Sequence, residues 1–183
     1  MFDKTARVVT QVIAAALLLL ALGVPASAGT GAAPVAPAAV GSRLINGDGD
    51  TSGRCLEISG GGTGTWVQMA GCHTNAHQSW YFTPHTGGVI AVRSHDADVA
   101  GECLSSGSSG VQAAMGDCVT NGVSANQAWY QTPVSNGWFK LRNKLFTNLC
   151  LEVANSGQST RVQSGPCGAS NQGNQLWHWH TVG

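Results

Sequence analysis

The chain has 183 residues, with nine basic and nine acidic side chains, 25 glycines and six cysteines. Charge so sparse and so balanced sets up no field that would draw a phosphate backbone or an anionic lipid surface, so nucleic acid is not an expected partner. Plentiful glycine with little charge fits an all-β, turn-rich domain rather than a helical one.

Lys4 and Arg7 precede an unbroken apolar run from Val12 to Val24, and Ala26-Ser27-Ala28 follows it. This reads as a signal peptide over 1–28, cleaved after Ala28. The apolar run is shorter than the ~20 residues of a spanning helix, so no membrane span is expected after signal cleavage, and the destination is secreted, extracellular. Residues 29–42, rich in Ala, Pro and Gly and without charge, read as a tether. The remaining segment, 43–183, is long enough for one domain.

That segment holds a repeat. Gln78-Ser79-Trp80, Gln127-Ala128-Trp129 and Gln175-Leu176-Trp177 each close a unit, and each follows two cysteines. The first unit runs through Leu44-Ile45-Asn46 and Arg54-Cys55-Leu56-Glu57-Ile58, then a Gly-rich turn, to Cys72. The second runs through Val92-Arg93-Ser94 and Glu102-Cys103-Leu104 to Cys118, and the third through Leu141-Arg142-Asn143 and Cys150-Leu151-Glu152-Val153 to Cys167. Each unit contains about four apolar clusters separated by Gly, Asn, Asp, Ser or Pro, which predicts four short strands. No stretch carries a helical period. In an exported protein an even cysteine count implies disulfides. One bridge per unit requires Cys55–Cys72, Cys103–Cys118 and Cys150–Cys167. Zinc-type spacing such as C-x-x-C is absent. A single unit cannot bury its apolar face alone, so three units should share one core in a closed threefold β structure, which also removes exposed edges.

The Cys-Leu-x-Ile/Val openings, the Val-Gln before the second cysteine and the Gln-x-Trp endings resemble the ricin B-type (R-type) lectin domain over about 43–181. The resemblance implies a β-trefoil of three Gln-x-Trp repeats, each with an internal disulfide, and a carbohydrate-binding role of the kind such modules serve beside secreted glycosidases. Within that family a sugar-binding unit uses an acid two residues after its first cysteine, a Gln four before the second, an aromatic two before it, and an Asn just before Gln-x-Trp. Those positions here are Glu57, Gln68, Ala70 and His77; Ser105, Ala114, Gly116 and Asn126; and Glu152, Gln163, Gly165 and Asn174. The resemblance therefore makes the third unit, with Glu152, Gln163, Asn174 and the adjoining Gln175, the best candidate site. The first unit follows with Glu57, Gln68 and His77, and the second is expected to bind no sugar. All three lack the ring on which the apolar face of a pyranose stacks, which argues against galactose recognition of the family's usual kind. Trp66 shares a strand face with Gln68, roughly 7 Å away by the strand rise, and is the candidate substitute platform. The Gln-x-Trp triplets themselves read as scaffold: Trp in the core, Gln satisfying loop backbone.

Two further patterns read as structural. Asp48-x-Asp50 and Asp96-x-Asp98 are equivalent loops, and an EF-hand reading fails because Ser59 stands where its terminal Glu is needed. His178 and His180 share a face of the last strand without an evident third ligand. No metal or cofactor is expected. No nucleophile elbow, phosphate loop or H-E-x-x-H occurs, and no catalysis is expected. The reading is a secreted, lectin-like module that binds a polysaccharide or cell-surface glycan without catalysis. The alternative is a protein-interaction or toxin-targeting trefoil with degenerate sugar sites, partnered by a toxin or glycosidase subunit.

Overall fold

The computed structural model describes residues 42–62, 64–119 and 122–181. The segments expected as signal peptide and tether lie outside them, with one exception. Ser42, placed in the tether by composition, is buried and pairs with Thr181 in the first strand.

Twelve strands follow in three groups of four. The first lobe contains β1 (Ser42–Asn46), β2 (Arg54–Ile58), β3 (Val67–Gly71) and β4 (Trp80–His85). The second contains β5 (Val89–Ser94), β6 (Glu102–Ser105), β7 (Ala114–Asp117) and β8 (Ala128–Pro133). The third contains β9 (Phe139–Asn143), β10 (Leu149–Val153), β11 (Val162–Pro166) and β12 (Trp177–Thr181). The only helices among the described residues are single 3-10 turns. Strands β1, β12, β9, β8, β5 and β4 pair in that order, and β4 returns to contact β1. The six close into a barrel; the other six form three hairpins, β2–β3, β6–β7 and β10–β11, all antiparallel. This is a β-trefoil.

The period-2 pattern sets which side chains point inward. In β3, Val67 and Met69 are buried while Gln68 and Ala70, which alternate with them, are half-exposed. The same alternation places Met115 and Val162 in the core. At the centre Trp80, Trp129 and Trp177 are wholly buried. Each donates its indole N–H to a carbonyl of its own lobe: Leu56 at 2.8 Å, Leu104 at 2.9 Å and Leu151 at 3.0 Å. The buried ring thereby supplies apolar area without leaving an orphan donor. All three expected disulfides are present, with Cα separations of 5.0, 5.2 and 5.0 Å. Each stabilises by about 3 kcal/mol in the chain-entropy account.

Lobes are joined to their neighbours by repeated devices. The side chain at the end of a lobe's first strand satisfies carbonyls of the preceding Gln-x-Trp turn. Asn46 donates to Asn174 and Leu176, Ser94 to Ala76 and Ser79, and Asn143 to Asn126 and Ala128. Around the pseudo-threefold axis the three hairpins interlock through Val67 N–H to Ala113 O, Ala113 N–H to Val162 O and Met69 N–H to Thr160 O. Three isolated bridges complete the cycle: Trp66 opposite Ala114, Gln112 opposite Gln163 and Arg161 opposite Gln68.

The Asp-x-Asp loops are turns, as their equivalence indicates. Asp48 and Asp96 cap 3-10 turns by accepting the N–H of Asp50 (3.0 Å) and Asp98 (2.9 Å). Each also packs on a glycine of another lobe. Gly157 lies against Asp48 and Gly62 against Asp96, at φ of +94° and +103°. A Cβ at either glycine would run into the carboxylate, so the positive φ and the close approach both require Gly.

Candidate functional site

In lobe 3 the two-stranded hairpin β10–β11 sets Glu152 directly opposite Gln163. Gln163 Nε2 donates to Glu152 Oε1 at 3.0 Å; Gln175 Nε2 and Asn174 Nδ2 donate to Oε2 at 2.9 and 3.4 Å. The four residues that sequence placed here do come together. Their roles separate by burial: Glu152, Gln163 and Asn174 are half-buried, whereas Gln175 is 2% exposed. Gln175 also donates to Pro166 O (2.7 Å) and accepts Gly168 N–H (2.9 Å), so it fixes the carboxylate and the loop from behind. The amide oxygens of Gln163 and Asn174 accept no hydrogen bond within the described protein, and Glu152 Oε1 receives one donor where a carboxylate oxygen can take two. The rim therefore offers three acceptors.

Gly165 gives the acid its room. The Glu152 carboxylate lies across it, in the space a Cβ would fill. In lobe 3 the glycine therefore leaves the room that this long acid occupies.

Lobe 1 repeats the plan with a different set of donors. Glu57 is 7% exposed and faces Gln68 across β2–β3. Its Oε1 accepts from Gln68 (3.1 Å); its Oε2 accepts from Gln78 (2.8 Å) and lies 3.0 Å from His73 Nε2 and 3.7 Å from His77 Nε2. Burial pushes this carboxyl up, but the hydrogen bonds from Gln78, Gln68 and His73, with the nearby His77, outweigh it and hold it below the usual range. His73 was not among the residues singled out from sequence. It follows Cys72, and the loop folds it back because Gln78 Oε1 accepts its N–H (2.9 Å) while Arg43 Nε donates to its carbonyl (2.8 Å).

Arg43 has a counterpart in Lys140, at the same position of the third lobe's first strand. Both are buried. Lys140 donates to Gly168 O (2.9 Å), Ala169 O (2.6 Å) and Gln175 Oε1 (3.4 Å). Burial lowers the pKa of both cations. The corresponding residue of lobe 2 is Ala91, and lobe 2 also lacks the acid. There Ser105 Oγ takes the place of a carboxylate oxygen, accepting from Gln127 Nε2 at 3.1 Å, while Asn126 Oδ1 accepts the Ser124 hydroxyl.

Trp66 is 49% exposed and shares the outward face of its strand with Gln68. Its cross-strand neighbour is Ala114, the lobe 2 position equivalent to Gln68. Position 66 thus neighbours the first lobe's Gln along the chain and the second lobe's vacated position across the bridge, a placement that single-unit reasoning missed. His178 is half-buried beside Trp138, with ring centroids 5.1 Å apart, and His180 is exposed. Among the described residues the one group of three His, Cys, Asp or Glu side chains placed to share an ion is Glu57, His73 and His77. A hollow of about 630 Å³ beside Pro84, His85 and Lys144 includes none of these side chains; the candidate sites are open rims. No helix among the described residues is long and apolar enough to cross a membrane.

Comparison with solved structures bears on the fold. A designed threefold-symmetric protein, ThreeFoil, superposes with a TM-score of 0.61 at 19% identity, over 77% of this chain and 98% of that one. A GlcNAcα1-4Gal-releasing endo-β-galactosidase from Clostridium perfringens matches with a TM-score of 0.61 at 14% identity, over 79% of this chain and 33% of that one. A mosquitocidal holotoxin matches with a TM-score of 0.63 at 16% identity, over 79% of this chain and 17% of that one. The chain thus spans only a minor part of the last two. No protein of curated function matches it in sequence. The family model of the ricin-type beta-trefoil lectin domain matches residues 43–137, the first two lobes, and the third continues the same strands, disulfide and Gln-x-Trp. With that match laid on the trefoil, its three equivalent disulfides and its three buried Gln-x-Trp tryptophans, the chain belongs to the ricin-type β-trefoil lectin family.

Proposed function

We propose that the protein is a secreted carbohydrate-binding module with no catalysis of its own, and that lobe 3 is its principal glycan site. The observation that carries this is the rim of Glu152, Gln163 and Asn174, which leaves two amide oxygens and one carboxylate lone pair free to accept, around a carboxylate held by Gln175 from behind. Sugar hydroxyls are donors that need such acceptors. Lobe 1, with Glu57 and Gln68, is the second candidate, with Trp66 as an exposed ring beside it. Without a stacking ring against the acid each site is shallow and weak, and two sites on one polymer would raise avidity by making the second contact intramolecular. The cysteine pairing and the leader-like N-terminus support an exported protein. The ligand class is a polysaccharide or a cell-surface glycan.

The test is a glycan array combined with polysaccharide pull-down. Glu152→Gln should weaken binding, and Ser105→Ala should leave it unchanged. Silence of folded protein across all glycans would overturn the reading. It would favour a protein-interaction trefoil, such as a targeting subunit of a toxin or glycosidase. One observation leans that way already: both carboxylates are largely satisfied within the chain.

A further inference from the structure

We propose that lobe 1 is a site for a divalent transition metal, zinc by preference, with Glu57, His73 and His77 as its protein ligands. The site goes beyond the glycan reading and does not depend on it. Glu57 Oε2 is 3.0 Å from His73 Nε2 and 3.7 Å from His77 Nε2, and the three ligand atoms lie within 4.8 Å of one another. Zinc bonds to imidazole and carboxylate are about 2.0–2.2 Å, which in a tetrahedron puts ligand atoms roughly 3.3 Å apart. The two measured separations from Glu57 bracket that value. Closing the remaining gap needs a small rotation of His73, whose side chain is 37% exposed. That exposure also leaves the fourth position open to water or ligand. Two imidazoles and one carboxylate suit zinc; calcium and magnesium prefer oxygen throughout.

His77 gives the strongest reason. Its Nε2 faces Glu57 Oε2, and its Nδ1 lies 3.8 Å from Asp96 Oδ2. A neutral imidazole has one N–H and can serve only one of two carboxylates. With Nδ1 turned toward Asp96, Nε2 points at Glu57 Oε2, an arrangement that an ion between the two would complete. A carboxylate behind the distal nitrogen of a ligating His is also the usual means of orienting it. Asp96 is itself fixed by the Asp98 N–H and by packing on Gly62. Gln68 and Gln78 hold Glu57 from the other side. Two contacts must give way: the His73 Nε2 to Glu57 Oε2 hydrogen bond, which the ion replaces, and the weak Asn75 N–H to His73 Nδ1 bond at 3.3 Å, because metal on Nε2 would turn that Nδ1 into a donor. Lobe 3 has Asn174 where lobe 1 has His77, and Gly168 where lobe 1 has His73, so the site belongs to one lobe.

The test is calorimetric titration of tag-free, chelator-stripped protein with zinc chloride, supported by metal analysis. The expected result is one zinc per chain, with affinity falling at least about tenfold in His73→Gln, in His77→Gln and, through the distal nitrogen, in Asp96→Asn. Asn174→Ala should bind zinc like the parent. Substitution with cobalt should give visible ligand-field absorption that the His77→Gln protein lacks. Circular dichroism in chelator checks that each variant folds. Where one does not, NMR of the parent decides: zinc should shift the imidazole resonances of His73 and His77 and the Asn75 amide. The proposal is overturned by no stoichiometric zinc. It is equally overturned by unchanged affinity in the His73→Gln/His77→Gln protein, which would place the ion elsewhere, or by imidazole resonances that zinc does not move.

Discussion

Gly165 offers a direct check on how the lobe 3 rim is built. Adding one methyl group there, Gly165→Ala, puts a Cβ inside van der Waals contact of the Glu152 carboxylate. Backbone strain plays no part, because Gly165 is not among the residues at positive φ. The clash is with the far end of a flexible side chain, so Glu152 can escape by rotating outward. What it loses are the hydrogen bonds from Gln163, Gln175 and Asn174 at 3.0, 2.9 and 3.4 Å. Bonds to a charged acceptor contribute about 1.5–3 kcal/mol each when their partner is stranded. Here the freed carboxylate regains water, and Gln175 keeps its bond to Pro166, so the net cost is about 1–2 kcal/mol. For a domain of this size that lowers Tm by roughly 3–7 °C. Gly116→Ala in lobe 2 is the matched control, since its Cβ would meet nothing nearer than Ser105 Oγ at 3.5 Å. It should be neutral, or slightly stabilising through the unfolded chain. Thermal and urea unfolding of Gly165→Ala, Glu152→Ala and the double variant form a cycle. The double variant should be no worse than Glu152→Ala alone. Equal effects at Gly165 and Gly116, or strict additivity of Gly165→Ala with Glu152→Ala, would refute this account of how Glu152 packs on Gly165.

Trp129→Phe should destabilise by about 2–3 kcal/mol in urea titration, because it opens a cavity and strands the Leu104 carbonyl that Trp129 Nε1 serves. Lys140→Met should speed hydrogen exchange at the Gly168 and Gln175 amides more than at β5 amides, since the ammonium holds the Gly168 and Ala169 carbonyls; an unaltered exchange pattern would count against that role. Glu102 pairs with Asp117 across β6–β7, and burial together with that like charge raises its pKa. The folded state thus binds the proton more tightly than the unfolded chain. The associated stability is present below the ordinary carboxyl value and is lost as pH rises through the raised one. Glu102→Gln should abolish this component of the pH profile and raise stability at neutral pH by a few tenths of a kcal/mol, roughly the scale of a partly exposed cross-strand pair. A Tm that falls at pH 7 would contradict it.

The architecture was legible because it is written three times. Gln-x-Trp, the cysteine pairs and the Gly-rich turns recur in register, and each recurrence marks a device the fold uses in every lobe: an indole bonded to a Leu carbonyl, a local disulfide, a turn at positive φ. The lobe 3 rim was legible for the same reason, since Glu152, Gln163 and Asn174 lie on one hairpin and the turn that backs it. What escaped are contacts made between segments with no shared period. Arg43 and Lys140 stand among apolar neighbours in a first strand, and nothing local says that each reaches a loop 30 and 28 positions away. His73 looked like one polar residue after a cysteine until the Gln78 and Arg43 bonds turned its loop toward Glu57. Trp66 was assigned to its own unit, yet the threefold junction sets it opposite Ala114.

The two lobes that keep an acid also keep the buried cation behind it, and the lobe that lost one lost the other. Arg43 and Lys140 do not touch Glu57 or Glu152; they hold the loop after the second cysteine, whose backbone meets the Gln of Gln-x-Trp, and that Gln meets the carboxylate. Cation, loop, Gln and acid are one chain of hydrogen bonds, and in lobe 2 Gln127 closes the same circuit on Ser105 and the Gly116 and Asp117 carbonyls instead. A carboxylate wholly or partly withdrawn from water needs donors fixed in place, and each of lobes 1 and 3 supplies them through a different set of loop residues. Lobe 1 adds two imidazoles, lobe 3 an amide. The trefoil frame is thus common to all three lobes; the residue two after the first cysteine sets lobe 2 apart, and what stands after the second cysteine and before Gln-x-Trp sets lobe 1 apart from lobe 3.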